Sequence, residues 1–171
     1  MELPAIIRGR HRLDIQIRFN DFDMFGHLNN NAYLEYFDLA KADYFGDVLG
    51  GAVTPERLSV VVANLNVSFY NPTLPGEELC VITRLKSIGH SSLTLEQQVL
   101  NRVNGSLKCG AQTVMVGYDV HALSSTPITD GLRSALTRYE SARKIRYRNR
   151  TSDVCFGRTT EKHVHRGFER L

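Results

Sequence analysis

Residues 18–45 read RFNDFDMFGHLNNNAYLEYFDLAKADYF, a polar knot running straight into the longest helix-like segment of the chain. From Ala32 to Leu49 the apolar residues Tyr33, Phe37, Ala40 and Tyr44 recur at three- and four-residue spacing, with Ala32, Tyr36 and Leu39 widening the face. So broad an apolar surface predicts a helix that is buried over much of its circumference. Asn30 or Asn31 is the expected N-cap, and Gly46, Gly50 and Gly51 offer exits. The amides at a helix start have no intrahelical partners and favour negative charge, so a buried start can hold a developing oxyanion. Asp23 lies just upstream, on a stretch that Gly26 allows to bend. A carboxylate there can attack an electrophilic carbonyl or activate water against it. The competing reading is an Asx-type turn and helix cap built by Asp21, Asp23 and the asparagines for stability alone.

Outward from this stretch the chain turns to strands. Leu13 to Phe19 alternates apolar and polar residues, as do Ala63 to Tyr70. The run Asn71-Pro72-Thr73-Leu74-Pro75-Gly76 is a turn by composition. Strands are predicted at Leu79 to Ile88, Ser91 to Asn101 and Leu107 to Tyr118, separated by Gly89-His90 and Asn104-Gly105. Thr129 to Arg143 is a second, shorter helix with Leu132, Leu136 and Tyr139 on one side. One strand, a long helix and four strands in hairpin-like succession make an α+β domain. Its curved five-stranded antiparallel sheet wraps around the long central helix, and a second C-terminal helix follows. Both phases of the late strands carry apolar residues, which predicts contact with another subunit through an edge or the other face.

The 171 residues hold 21 Lys and Arg against 18 Asp and Glu, but the charge is divided. Residues 1–142 carry a net −3 and residues 143–171 a net +6, so the basic balance belongs to the tail. We therefore expect one domain over residues 1–143 and a basic, loosely attached or disordered extension over 144–171, and no nucleic-acid binding by the body. Cys80, Cys109 and Cys155 form no paired framework, which favours a reducing compartment and a cytoplasmic location. MELPAIIRGRHR, at the N-terminus, lacks the apolar run of a signal sequence or a membrane span.

The stretch Asp21 to Lys41, DFDMFGHLNNNAYLEYFDLAK, resembles the signature of hotdog-fold acyl-CoA thioesterases, in particular the 4-hydroxybenzoyl-CoA thioesterase-like group. That signature has an acid two residues before the catalytic Asp, then Gly and His-x-Asn-Asn ahead of the helix; Asp21, Asp23, Gly26, His27, Asn29 and Asn30 stand there. Lys41 replaces the more usual Arg, keeping the charge and losing the planar fork. The similarity runs through NPTLPGEEL to about Glu140 and leaves out the tail.

What the resemblance implies is a homodimer, further assembled into a homotetramer, with shared active sites near the helix starts. Those sites cleave an acyl-CoA thioester to a carboxylic acid and free CoA, with no cofactor and no metal. Asp23 would be nucleophile or general base, backbone amides around Asn29 and Asn30 the oxyanion hole, and Asp21 the loop support. Gly26 would allow close approach of substrate. His27 has three open roles: polar packing of the loop, substrate contact or proton transfer. Further substrate contacts are expected from Tyr33, from Asn64 and Asn66 across a dimer, and from the hairpin residues His90, Ser91 and Ser92. Asp21, Asp23 and His27 fall short of a metal set. An acyl-carrier-protein thioesterase, a hotdog dehydratase and a non-catalytic acyl-CoA-binding module remain the alternatives.

Overall fold

In the computed structural model, which describes residues 3–142 and the backbone of residues 146–148, the long helix α1 spans Asn30–Leu49. It buries Tyr33, Tyr36, Phe37, Tyr44, Phe45 and Val48 and ends at Gly50, whose φ of 65° is left-handed. Most of the expected apolar face is buried, but Leu39, expected to widen it, is 53% exposed. The strands are β1 (His11–Ile15), β2 (Val60–Phe69), β3 (Leu79–Ile88), β4 (Ser92–Asn101) and β5 (Leu107–Asp119). They lie in the order β2-β5-β4-β3-β1, antiparallel throughout, and curve around α1 in the hotdog arrangement. A two-residue strand β6 (Ser124–Ser125) pairs antiparallel with the end of β5, and β7 (Arg146–Arg148) pairs in parallel with β1. The rest of the expected 144–171 extension lies outside the described residues. The second helix, α3, spans Asp130–Ser141 and packs Leu132, Ala135 and Leu136 against the far half of α1.

Several boundaries differ from expectation for identifiable reasons. The first strand stops at Ile15 rather than Phe19, because Ile15 pairs with Leu79, the first residue of β3, and no neighbour lies beyond it. The chain instead tightens into a single 3-10 turn at Phe19–Asp21. α1 starts two residues early and Asn29, not Asn30 or Asn31, is its N-cap: Asn29 Oδ1 accepts the Asn31 N–H at 2.8 Å. A short helix, α2 (Pro55–Leu58), was not foreseen, although Thr54 as N-cap and Pro55 at the first helical position are its sequence signature.

The inner face of the sheet divides into two apolar clusters under α1. One gathers Tyr33, Phe37, Val81, Val99 and Ala111 beneath the start of the helix; the other gathers Tyr44, Phe45, Leu93, Leu95 and Leu136 beneath its end. Between them runs a buried polar row on neighbouring strands, His11, Thr83 and Gln97 in register. Its groups are bonded into the helix: His11 Nε2 to Asp43 Oδ2 at 3.0 Å, and Gln97 Nε2 to the Phe37 carbonyl at 3.0 Å. These bonds fix the rotation of α1 on the sheet, because a slip would strand buried polar groups.

The outer face is partly covered within the chain itself. The N-terminal arm crosses it, with the Ile7 N–H donating to Gln98 Oε1 at 2.9 Å and Gln98 Nε2 donating to the Ala5 carbonyl at 3.0 Å. What stays open is β2, an edge strand exposed along most of its length. Among the described residues no helix is long and apolar enough to cross a membrane.

Phe37, 1% exposed at the centre of the first cluster, has no room to be replaced by solvent. Phe37→Ala should therefore lower the unfolding free energy by about 3–5 kcal/mol in urea titrations. Val103→Ala in the exposed β4–β5 turn should change it by less than about 0.5 kcal/mol.

Candidate active site

The polar knot folds back on itself as a miniature antiparallel ladder. The Asn29 N–H donates to the Asp21 carbonyl at 2.8 Å, the Asp23 N–H to the His27 carbonyl at 2.9 Å, and Phe22 and Leu28 bridge between them. Phe22 and Leu28 turn into the first cluster, so by alternation Asp23 and His27 turn out. Gly26 closes the loop at φ 72°, with open space where a Cβ would stand. Backbone conformation, rather than close approach to other parts of the chain, is what requires glycine here.

Asp23 splits its carboxylate between two tasks. Oδ1 accepts from the Phe25 N–H at 2.8 Å and the His27 N–H at 3.4 Å, which braces the loop. Oδ2 has no hydrogen-bond partner among the described residues. The Asx turn and an oxygen without a partner among the described residues therefore coexist in one side chain. The His27 ring is exposed and makes no side-chain hydrogen bond among the described residues, so polar packing does not describe it.

At the helix start the amides divide in the same way. The Asn29 N–H is taken by Asp21, the Asn31 N–H by the Asn29 side chain and the Ala32 N–H by the Asn29 carbonyl. The Asn30 N–H is left without a partner among the described residues, at the first position of a 20-residue helix. Sequence reasoning grouped Asn29 with Asn30 as amide donors; the fold spends Asn29 on holding the loop.

Asp21 is buried and holds three donors: the Tyr36 hydroxyl at 2.6 Å, the Arg18 N–H at 2.8 Å and Arg18 Nε at 3.2 Å. Burial alone would raise its pKa, but these hydrogen bonds and the Arg18 charge outweigh it and hold the carboxyl below its usual value. Arg18 also reaches Glu35 at 2.6 Å. Burial, then the neighbouring Asp21 charge, pushes the Tyr36 hydroxyl far up, so it stays a donor. Sequence reasoning took Tyr36 only as a core ring; the missed signal is that a buried tyrosine hydroxyl needs a partner.

The remaining expected contacts are not brought together in one protomer. Tyr33 is buried, and its hydroxyl donates to Thr73 Oγ1 at 2.8 Å, unavailable to a substrate. Asn64 and Asn66 stand on the outer face of β2, in register with Val114 and Gln112, across the sheet from α1. His90, Ser91 and Ser92 lie at the opposite end of α1, a helix about 30 Å long. That hairpin is fastened to α3, the Ile128 N–H donating to the His90 carbonyl at 2.9 Å and Arg133 Nη2 to the Gly89 carbonyl at 2.7 Å. Burial pushes the Cys109 thiol up to about 12, which leaves it no nucleophilic thiolate at neutral pH. Among the described residues no three His, Cys, Asp or Glu side chains gather as metal ligands do.

A family model described as the thioesterase-like superfamily matches residues 17–136, the span from just before the knot to the middle of α3. The chain belongs to the thioesterase-like superfamily. Among its relatives, the long-chain acyl-CoA thioesterase FadM of Escherichia coli K12 is 24% identical over 123 residues, 71% of this chain and 93% of FadM. The uncharacterized protein YsmA of Bacillus subtilis 168 is 33% identical over 81 residues, 47% of this chain and 54% of YsmA, so the match spans about half of that relative. Among solved structures, a thioesterase from Thermus thermophilus complexed with coenzyme A and Zn superposes with a TM-score of 0.69 at 29% identity. The superposition covers 78% of this chain and 96% of that one.

The depressed pKa of Asp21 has a definite sign: the stability it gives is complete above the ordinary carboxyl pKa and is lost as pH falls through the lowered one. The stability difference between the wild type and Asp21→Asn, measured by urea titration, should be full above about pH 5 and shrink progressively below about pH 4. A difference that widened on acidification would contradict the clamp.

Proposed function

We propose that this chain is an acyl-CoA thioester hydrolase that releases a carboxylic acid and free CoA. The observation that carries the reading is the pairing, on one braced loop, of a free carboxylate oxygen at Asp23 with an unpartnered helix N-terminal amide at Asn30. The thioester carbonyl oxygen accepts from the Asn30 N–H, where the helix dipole favours the negative charge that develops on attack. Asp23 Oδ2 then acts in one of two ways. As nucleophile it forms an acyl-enzyme anhydride and expels the CoA thiolate, which is protonated from solvent, and water hydrolyses the anhydride. As general base it takes the proton of an attacking water, and the tetrahedral intermediate collapses with loss of the thiolate. We assign the exposed His27, on the same loop, to substrate contact.

Relatives support this reading: FadM is an acyl-CoA thioesterase, and the Thermus thioesterase binds coenzyme A. We take the acyl group to be small to medium or aromatic; longer chains, as in FadM's name, belong in the same assay. We place the protein in the cytoplasm, on its lack of a disulfide framework. The working unit is a homodimer with shared sites, assembled further into a tetramer. Its support is an unpaired β2 edge and a set of exposed apolar side chains on the loop, with Phe19 98%, Met24 91% and Phe25 77% exposed. A second copy would cover these and could bring its own elements to the residues that one protomer keeps apart.

Thiol release from a panel of acyl-CoA and acyl-carrier-protein esters tests the activity. Asp23→Asn should lower turnover roughly 10²–10⁴-fold while binding of the ester is kept. Wild-type turnover in that variant would refute the mechanism, and strict preference for the carrier-protein ester would reassign the substrate. Binding without any release would leave a binding module. Light scattering should show no appreciable 19.3 kDa monomer at micromolar protein.

A further inference from the structure

The turn Asn71–Gly76 has no part in the chemistry above, yet it touches the reactive loop at one residue. Thr73 is 0% exposed and lies between the loop and α1. Its carbonyl accepts the Leu28 N–H at 3.0 Å, and its Oγ1 accepts the Tyr33 hydroxyl at 2.8 Å. Leu28 sits between His27, which closes the ladder on Asp23, and Asn29, which caps the helix; Tyr33 is in the first turn of that helix. One residue thus holds both the outgoing arm of the loop and the helix it feeds.

Thr73 is itself held from behind. Lys108, a buried lysine, donates to the Pro72 carbonyl at 2.8 Å and is paired with Glu77 at 2.8 Å. Glu77 accepts the Leu74 N–H at 3.0 Å and the Asn101 side-chain amide at 3.0 Å. The two flanks of Thr73 are therefore tied to β5 and to the end of β4 through one ion pair. A fully buried hydrogen bond has no water to replace it, so losing the Thr73 hydroxyl leaves the Tyr33 hydroxyl unsatisfied or moves the loop.

We propose that Thr73 is a positioning residue for the thioester hydrolysis proposed above, setting the spacing between the Asp23 carboxylate and the Asn30 amide. The role rests on the thioesterase reading. Being buried, Thr73 touches no substrate and acts only through Leu28 and Tyr33. A displacement of the reacting groups by a fraction of an ångström to about 1 Å lowers the rate roughly ten- to hundredfold and leaves ground-state binding of the ester nearly untouched.

The test combines steady-state kinetics with amide hydrogen exchange on the full chain. Thr73→Val should lower kcat roughly ten- to hundredfold with KM within about twofold, and should speed exchange in residues 22–30 but not in β3 to β5. Thr73→Ser, which keeps the hydroxyl, should restore most of kcat. Tyr33→Phe removes the same bond from the other side and should show the same loss; the double variant should be little worse than either single one. If Thr73→Val does not fold, Tyr33→Phe alone decides, by kcat and loop exchange. Unchanged kcat, a loosened loop with unchanged kcat, or a Thr73→Ser variant as impaired as Thr73→Val would each overturn the proposal. A wild type that releases no thiol from any ester would overturn the thioesterase reading and the positioning role with it. Loop exchange in the variant would still show separately whether Thr73 holds the loop.

Discussion

A buried carboxylate is costly unless its charge is met, and Asp21 is met from two segments of the chain at once. Its side chain takes donors from Arg18 before the turn and Tyr36 within α1, while its own carbonyl takes the Asn29 amide. The consequence reaches beyond stability. With Asn29 fixed and its side chain spent on the Asn31 amide, the helix begins at Asn30, whose N–H is left without a partner among the described residues. Asp23, two residues after Asp21, is turned outward by the ladder that the Asn29–Asp21 bond starts. The Asp23 carboxylate keeps an oxygen open among the described residues while the Asp21 carboxylate is fully used.

The two-cluster core explains why the site lies where it does. The polar row of His11, Thr83 and Gln97 locks the middle of α1, leaving the two helix ends in separate apolar surroundings. α3 covers the far end, where Tyr44 donates to Glu140 at 2.7 Å. At the near end the turn residue Thr73 holds the loop and the helix from behind, while Phe19, Met24 and Phe25 are exposed. A helix N-terminus that is anchored behind and open in front can bind a carbonyl without first being rearranged.

Much of this was legible in the sequence, and the parts that were not share a cause. The period of Tyr33, Phe37, Ala40 and Tyr44 marked α1, and alternation with Asn-Gly and Gly-His turns marked β3 to β5, because burial on a helix or sheet face leaves a periodic trace. The polar pattern around Asp23 stood out because so many polar residues before an apolar helix are rarely needed for packing alone. Pairings distant in sequence leave no such trace. Nothing in Tyr36 announces Asp21, nor in Thr73 its bond to Leu28, and Asn29 and Asn30 look alike until the ladder assigns their amides. The outward placement of Asn66 follows from register with Gln112, which depends on the whole sheet.

The central claim is that the helix start polarises a thioester carbonyl beside Asp23. It is tested most directly by isotope-edited infrared spectroscopy of a ¹³C=O-labelled acyl-CoA bound to the Asp23→Asn protein, in which the ester survives long enough to be observed. The carbonyl stretch of the bound ester should lie at lower wavenumber than that of the free ester, as an amide donor aimed at its oxygen requires. A bound carbonyl that vibrates at the free-ester frequency would contradict the account.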